Sequence, residues 1–241
     1  MPRRNFLAPL VILLSGCASY VTPGGPARLD QINRTDIAEA ASRRPTVTFP
    51  ARVGIVRIQA NDYKSYSGDG YGRGQFTAVT TQELLTDEQM EAVSKWPSVA
   101  AVAPITRLTI PSRLESIDDL RVAGAKIQAD ILLVYTIDTS FRIQGKGYGP
   151  LSAISLGIVP DRDAYITSTA SAILVDVRSG FVYGVAEATA KTSGLTNVWE
   201  SSSTVDRKRV QAEEEAFGKL VEQTSKAWTG VVKQYSPTGG S

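Results

Sequence analysis

One run of residues near the middle of the chain restricts the fold more than any other feature. The run from Ala129 to Asp138 (ADILLVYTID) is the most hydrophobic stretch outside the N-terminal segment. A short apolar run rich in β-branched and aromatic residues predicts a strand that is covered on both faces. Such a strand belongs at the centre of a sheet, and we expect other elements to cover both sides of that sheet.

The segments around this run predict a mixture of strands and helices. Residues 52–59 (RVGIVRIQ) carry apolar side chains on both faces, which again indicates a central strand. Ser116 and Asp119 mark the capped start of a helix with Leu120 and Ala123 in its buried stripe. The other predicted elements are a helix over 86–96, a β-rich stretch over 99–110 that breaks near Pro104, and two strands over 164–177 and 181–192.

The last two strands and the helix after them complete the predicted domain. Residues 178–180 (RSG) join the strands, and the glycine supplies the left-handed conformation that a tight hairpin requires. Both strands are rich in alanine, serine and threonine, so one face is expected to pack closely against a helix. The order of elements predicts the α/β (α+β) class: a single mixed β-sheet sandwich with flanking helices and a long C-terminal helix.

The C-terminal helix is predicted over 204–233 from apolar residues at helical spacing, with Phe217, Leu220 and Trp228 in the stripe. Two charged groups interrupt this pattern, at 207–209 and 213–215. Because their charges fall at favourable spacings along a helix, we interpret them as its solvated face.

The N-terminal segment indicates export. Arg3 and Arg4 precede an apolar run over 6–14, which is far shorter than the roughly 20 residues needed to span a bilayer. Residues 14–17 (LSGC) follow and resemble the bacterial lipobox. The resemblance implies that Cys17 receives a diacylglycerol on its sulfur, that the chain is cut before it, and that the new N-terminus is acylated. The alternatives are an ordinary secretory signal with a chance cysteine, or a small buried cysteine.

The same resemblance implies a location and a domain organisation. Ala18 follows Cys17, where the lipoproteins of enterobacteria that stay at the inner membrane have aspartate, so the expected location is the periplasmic leaflet of the outer membrane. The expected segments are a signal peptide over 1–16, a lipid-anchored flexible tether over 17–50, a periplasmic α/β domain over 51–235 and a disordered tail over 236–241.

Composition excludes several classes of chemistry. The chain has no histidine and one cysteine, which excludes Ser-His-Asp and Cys-His nucleophile systems and the common zinc sites. Removal of residues 1–16 leaves 24 basic and 24 acidic residues, and this balance gives no basic footprint for nucleic acid. Contact with the membrane is therefore expected through the lipid on Cys17. No cofactor is expected, and the oligomeric state stays open.

The carboxylates give no clear site. Asp69, Asp161 and Asp163 are the loop carboxylates open to a hard cation, and they lack the clustered spacing of a calcium loop, so no metal is expected. The remaining candidates, Asp130, Asp138 and Asp176, are predicted at strand ends, where carboxylates commonly cap turns. A pair of aspartates that acts as general acid and base stays open as an alternative.

Two glycine-rich segments carry the candidate partner-binding residues. Residues 66–74 (YSGDGYGRG) and 145–149 (GKGYG) alternate glycine with tyrosine, lysine or arginine. The first segment does not have the spacing of the known phosphate-binding loops. Exposed loops on a rigid scaffold carry much of protein recognition, whereas the alternative is that both loops are merely flexible. The residues predicted to bind a partner are Tyr71, Arg73, Lys146 and Tyr148.

Three segments also resemble a known family. Residues 129–141 (ADILLVYTIDTSF), 155–163 (SLGIVPDRD) and 172–190 (AILVDVRSGFVYGVAEATA) are similar to the rhombotarget lipoproteins, and more distantly to envelope lipoproteins of the curli-secretion type. Some rhombotarget proteins end in Gly-Gly, an apolar segment and basic residues. This chain ends at Gly239-Gly240-Ser241, so rhomboid-type processing is not expected.

These observations favour a non-catalytic envelope lipoprotein that binds or scaffolds another envelope protein within an assembly or export system. The first alternative is a carboxylate-dependent cell-wall hydrolase, which predicts a deep cleft with converging acidic side chains. The second is a component of a curli-type secretion complex, which requires two amphipathic membrane hairpins; no alternating segments are left over to form them.

Overall fold

The computed structural model describes residues 19–21, 25–27, 37–64, 70–80, 87–145, 162–196 and 202–236. The strands are β1 (Ser19–Val21), β2 (Ala51–Ala60), β3 (Arg73–Gly74), β4 (Phe76–Val79), β5 (Val99–Pro104), β6 (Arg113–Leu114), β7 (Ile131–Gly145), β8 (Arg162–Asp176) and β9 (Val182–Thr196). The helices are α1 (Ile37–Ser42), α2 (Asp87–Ser94), α3 (Ile117–Lys126) and α4 (Ser202–Tyr235). The predicted mixture of strands and helices, with a long helix at the C-terminal end, is confirmed.

Within these residues, seven strands form one mixed sheet with β7 at its centre. On one side of β7 lies β2, which runs parallel to it with Val53 opposite Ile131. On the other side β8 and then β9 continue the sheet in antiparallel fashion. The outer edge of β2 is shared, because β5 pairs in parallel with its first half and β4 pairs antiparallel with its second half. The predicted central position of both apolar strands is therefore confirmed.

Helices α4 and α2 cover the first face of the sheet. The ring of Phe217 on α4 lies against that of Tyr135 on β7, with 4.4 Å between their centroids. Trp228 is fully buried, and its indole nitrogen donates to the carbonyl of Pro97 at 2.7 Å. Beneath α4 the strands β8 and β9 present small buried side chains, namely Ala170, Ala172, Ala188 and Ala190. These alanines allow the helix to lie close to the sheet, as the composition predicted.

Helix α3 covers the second face over β2 and the first part of β7. Its predicted capping box is present: the Ser116 hydroxyl accepts from Asp118 N, and the Asp119 carboxylate accepts from Ser116 N at 3.1 Å. Leu120 and Ala123 are fully buried in one apolar cluster with residues of β2 and β7. The capping sequence thus places the start of α3, and its apolar stripe determines which side faces the sheet.

Beyond Ile137 the second face of the sheet is polar and largely exposed. Asp138, Ser140 and Arg142 are exposed on β7, and Val185 on β9 has 71% of its surface in contact with solvent. The prediction that Asp138 ends a strand is wrong, because β7 continues to Gly145 as one member of the hairpin with β8. The hydrophobic run in the sequence ends where α3 no longer covers β7. The strand β7 continues beyond that point to Gly145.

A side-chain amide joins β2 to β7 where their backbones separate. Gln59 is fully buried; its Nε2 donates to Ile137 O at 2.8 Å, and its Oε1 accepts from Ile137 N at 3.3 Å. The hydroxyl of Thr136 donates to the same oxygen at 2.6 Å and accepts from Ala27 N at 3.0 Å. The amide therefore replaces a backbone pairing, and it satisfies the backbone N–H and carbonyl of Ile137.

The described parts of the predicted tether lie on the domain. β1 pairs with β7, and Ala27 is buried. Farther along, Thr46 N donates to Asp176 Oδ2 at 2.7 Å, and the ring of Phe49 lies edge-on to that of Trp228. These contacts leave less free chain between Cys17 and the domain than a flexible tether over 17–50 would have.

The interpretation of both charged groups on α4 as a solvated face is wrong for two residues. Arg209 is 2% exposed and Glu213 is fully buried. Both lie on the side of α4 that faces the sheet, where Arg57 of β2 provides a third charge. Helical spacing could not reveal this, since Arg57 is far from α4 in the sequence.

Candidate functional site

Tyr71 and Arg73, two residues predicted to bind a partner, lie in a loop held by backbone pairing. Tyr71 N donates to Ala78 O at 2.7 Å, and Ala78 N donates to Tyr71 O at 2.8 Å. Arg73 stands opposite Arg113 where β3 pairs with β6. The described part of this glycine-rich segment is therefore fixed against β4 and β6, and only residues 70–74 of the segment are described.

Close packing explains two of its glycines. Gly74 has φ +128°, and a Cβ at this position would collide with the carbonyl oxygen of Leu114. A Cβ at Gly70 would collide with the side chain of Thr77. The glycines thus permit contact between backbone and neighbouring residues, and they hold the tyrosine and arginine between them in place.

The loop and β6 enclose an open groove of about 580 Å³. Its lining residues are Gly70, Tyr71, Gly72, Arg73, Ser112 and Arg113. Arg73 belongs to β3 and Arg113 to β6, and the two residues are opposite each other in this pairing. No carboxylate lies among the described lining residues. The groove therefore presents guanidinium groups, a phenol ring and a hydroxyl to a ligand.

A third arginine, Arg107, lies next to Tyr71. The guanidinium of Arg107 lies 5.5 Å from the ring centroid of Tyr71, within the range of a cation–π interaction. Its Nε donates to Thr80 Oγ1 at 2.8 Å, which fixes its position. Arg113 forms an ion pair with Glu115. Among the described residues of this region three arginines accompany one glutamate, and this excess of positive charge suits carboxylate groups.

The sequence predicted two of the four residues Tyr71, Arg73, Arg107 and Arg113. Tyr71 and Arg73 were predicted, and the structure places them together. Arg107 and Arg113 were missed because they follow the strand β5 in a segment without regular pattern, and only tertiary pairing brings them to the loop. The other predicted residues, Lys146 and Tyr148, and the predicted lipidation site Cys17 lie outside the described residues.

The N-terminal strand β1 lies against β7. Ser19 is opposite Arg142 and Val21 is opposite Ser140 in the antiparallel pairing of β1 with β7. This pairing places β1 close to the end of the sheet where Gly145 of β7 is opposite Arg162 of β8.

A second pocket, of about 450 Å³, lies at the opposite end of the sheet. It is lined by Arg52, Ala125, Gln128, Ala129, Asp130, Val177 and Arg178. Asp130 Oδ2 accepts from Arg52 N at 2.9 Å, and Asp130 is the one carboxylate among the described lining residues.

Asp176 is a structural carboxylate at the β8–β9 turn. It accepts hydrogen bonds from the backbone of Thr46, Arg178 and Ser179 and from the hydroxyls of Thr46 and Tyr183. Burial raises the pKa of Asp176, but hydrogen bonds from Ser179, Thr46 and Tyr183 outweigh it, so the pKa lies below its usual range. Burial and the bond to Asp176 raise the pKa of Tyr183. This carboxylate binds the 43–50 segment to the hairpin.

A buried ion cluster lies between α4 and the sheet. Glu213 Oε2 accepts from Arg57 Nη2 at 3.0 Å, and Glu213 Oε1 accepts from Arg209 Nη1 at 2.8 Å. Arg209 Nε donates to Asp206 at 2.9 Å, so two cations face two anions. Burial lowers the pKa of Arg209, but the charge of Glu213 and the hydrogen bond to Asp206 outweigh it and raise the pKa.

Some donors of this cluster find no protein partner. Among the residues described by the structure, Arg57 Nε, Arg57 Nη1, Arg209 Nη2 and Tyr63 Oη are buried without a hydrogen bond. The guanidinium of Arg57 lies 5.4 Å from the ring centroid of Tyr63, which provides partial compensation. The cluster is balanced in charge and closed to solvent, and we interpret it as a device that fixes the position of α4 on the sheet.

The described ranges contain neither a membrane-spanning helix nor a metal-binding group of side chains. No helix there combines the length and the apolar character needed to cross a membrane. No group of three histidine, cysteine, aspartate or glutamate side chains there is arranged to hold a metal ion.

Comparison with known proteins identifies no family. No family model matches the chain, and no curated protein matches its sequence. Several solved structures show distant similarity to this chain. A lipoprotein candidate from Caulobacter crescentus CB15 is 9% identical and covers 48% of this chain and 77% of that chain, with a TM-score of 0.29.

A Xanthomonas campestris protein of the family model DUF330 is 13% identical over 77% of this chain and 89% of that chain, with a TM-score of 0.32. The lipoprotein GNA1162 from Neisseria meningitidis is 16% identical over 70% of this chain and 99% of that chain, with a TM-score of 0.27. Similarity this low assigns neither a family nor an activity to the chain.

Proposed function

We propose that this chain is a lipid-anchored protein of the bacterial envelope, attached through Cys17 to the periplasmic face of the outer membrane. Its α/β domain binds another envelope protein within an assembly or export system and catalyses no reaction. The lipobox resemblance supports the anchor, and the backbone pairing of β1 supports a domain that stays close to that anchor.

The groove formed by Tyr71, Arg73 and Arg113 is the observation that carries the binding function. Its tyrosine is held by backbone pairing and by Arg107, so little side-chain freedom is lost when a partner binds. Tyrosine and arginine are the residues that most often dominate protein interfaces. These features favour a protein partner over a small molecule, since the groove is open and polar.

The charge of the groove indicates the chemistry of the partner. Three arginines and one glutamate attract a surface with exposed aspartate or glutamate side chains. Arginine binds such carboxylates through two parallel hydrogen bonds, which fixes the orientation of the partner. The partner is therefore a protein that presents an acidic segment in the periplasm.

The two alternatives make different demands on the structure. A cell-wall hydrolase requires converging carboxylates; in the described part of the chain, Asp176 and Glu213 are engaged in hydrogen bonds within the protein and Asp130 stands alone in its pocket. A component of a curli-type secretion complex predicts ring-shaped oligomers in detergent. Electron microscopy of the detergent-solubilised chain distinguishes that alternative from partner binding.

Crosslinking in cells followed by purification tests the binding function. Alanine at Tyr71, Arg73 and Arg113 should abolish recovery of the crosslinked partner. The melting temperature should change little for the two exposed arginines and should fall for Tyr71, which packs partly buried against the core. The matched control is Arg178→Ala, which removes an exposed arginine at the other end of the sheet and should leave recovery unchanged. Alanine at Lys146 and Tyr148 extends the test to the second glycine-rich segment. Undiminished recovery from the triple variant would contradict the proposed interface.

A further inference from the structure

We infer that the end of the sheet where β7 and β8 meet rests on the lipid headgroups, with the long axis of β7 directed away from the membrane. This inference rests on the proposed lipid at Cys17. The surface that touches the headgroups includes Arg142, Tyr165 and Lys191, which lie close together on the exposed face of the sheet.

The pairing of β1 places the lipid at this end. Ser19 lies opposite Arg142, and the two residues of chain that join Cys17 to Ser19 can span at most about 7 Å, so a lipid on Cys17 starts close to Arg142. Ile131, at the other end of β7, lies about 35 Å away at about 3.3 Å per residue. A lipid attached to one end of a rigid sheet brings that end to the membrane first.

The exposed residues at this end suit a membrane surface. Arg142 is paired with Tyr165 across β7 and β8, and Lys191 is opposite Thr167, two residues farther along β8. Tyrosine is enriched at membrane interfaces, and each lysine or arginine near anionic headgroups contributes about 1 kcal/mol to binding. Two cations and one tyrosine thus add to the attachment through the lipid.

The charges on the rest of this face decide between two orientations. Asp138 and Glu187 occupy the same exposed face closer to the middle of the sheet, and the uncharged Val185 lies beyond Glu187. If the sheet lay flat, both carboxylates would be pressed against anionic headgroups, which is unfavourable. If only the end touches the membrane, the contact region contains Arg142 and Lys191 together with the acidic residue Asp163 of β8, which is opposite Gln144 of β7, and the carboxylates of Asp138 and Glu187 stay in water. The distribution of charge therefore favours contact at the end.

Site-directed fluorescence measures the orientation. Cys17 is the one cysteine, and the lipid occupies its sulfur, so a single added cysteine is the one thiol that a fluorophore can label. The two variants are Tyr165→Cys and Val185→Cys, both at exposed positions of the same face. Val185 is about 26 Å farther along β9 than Ser193, the partner of Tyr165. The lipidated chain is reconstituted in vesicles of phosphatidylethanolamine and phosphatidylglycerol that contain headgroup-spin-labelled lipid.

We expect the label at 165 to lose most of its fluorescence and the label at 185 to lose almost none. Equal quenching at both positions would show a flat sheet, and absence of quenching at both would show a domain that stands off the membrane; either result overturns the inference. Failure of the chain to float with the vesicles would instead contradict the lipid anchor itself.

Charge reversal tests the contribution of the two cations. Arg142→Glu combined with Lys191→Glu, in the Tyr165→Cys background, should reduce quenching on vesicles with phosphatidylglycerol. Arg52→Glu combined with Arg178→Glu is the matched control, because it reverses the same number of exposed cations at the opposite end of the sheet. Unchanged quenching in the double variant would overturn the contact between these cations and the headgroups.

Discussion

Arg57 and Glu213 form an ion pair with 3.0 Å between Nη2 and Oε2, although neither side chain has more than 2% of its surface in contact with solvent. The first lies on β2 and the second on α4, and Arg209 of α4 binds the other oxygen of the same carboxylate. Two buried cations therefore depend on one shared anion. A cluster of this kind adds little net stability, but loss of one member leaves the others without compensation.

Removal of the shared carboxylate should strongly destabilise the fold. Glu213→Ala leaves Arg57 buried without its anion and Arg209 with Asp206 alone, and we expect the free energy of unfolding to fall by about 3–5 kcal/mol. Urea unfolding followed by circular dichroism measures the change. Glu215→Ala is the control on the same helix, since its ion pair with Lys219 is half exposed and should contribute less than about 1 kcal/mol. Equal losses in both variants would contradict the structural role of the cluster.

Asp176 should make stability depend on pH in a defined direction. Its pKa is below the usual range in the folded chain, so its contribution is present above the pKa of an unfolded aspartate and is lost as the pH falls through the folded pKa. Asp176→Asn should cost about 1.5–3 kcal/mol near neutral pH. The difference from the unmodified chain should shrink as the solution becomes acidic.

Denaturant unfolding at a series of pH values measures this difference. Asp138→Asn removes an exposed carboxylate from the same sheet and should change the free energy of unfolding by less than about 0.5 kcal/mol at neutral pH. A difference between Asp176→Asn and the unmodified chain that stays constant on acidification would show that charge is not the reason for the loss.

Glycine substitutions should have opposite effects in α4 and in the groove. A Cβ at Gly218 or Gly230 meets no atom within 4 Å, so alanine at either position should stabilise the chain by about 0.5–1 kcal/mol through lower backbone entropy. Gly74→Ala should destabilise it, because φ +128° is unfavourable for alanine and Leu114 occupies the space. Melting temperatures of the three variants provide the measurement. Stabilisation by Gly74→Ala would contradict the geometry of the β3–β6 pairing.

Lipidation predicts that incorporation of labelled palmitate depends on the sulfur atom of Cys17. Cells grown with radiolabelled palmitate should incorporate label into the unmodified chain, and Cys17→Ala should abolish the incorporation because it removes the sulfur that receives the lipid. The fractionated membranes should retain the unmodified chain and release Cys17→Ala. Equal labelling of both chains would refute the lipobox interpretation, and recovery of the labelled chain with inner membranes would refute the outer-membrane location.

Local patterns in the sequence were sufficient for most of the regular elements. The apolar run at 129–138 predicted the central strand, Ser116 and Asp119 predicted the start of α3, and Gly180 with φ +71° occupies the hairpin turn as expected. Each of these features depends on residues that are neighbours in the chain. Backbone conformation, capping and the burial of one helical stripe are decided over that short range, so the sequence alone reveals them.

The tertiary structure determined which charged residues of α4 are buried and which residues lie at the groove. Arg209 and Glu213 follow the spacing of an exposed ion pair, and only Arg57, which is 156 residues from Glu213, makes their burial tolerable. Tyr71 and Arg73 gain Arg107 and Arg113 as neighbours only through the pairing of β3 with β6. The position of β1 on the sheet likewise follows from the pairing of Ser19 with Arg142. Contacts between distant segments leave no periodic pattern in either segment, because each residue meets its partner only after the chain has folded.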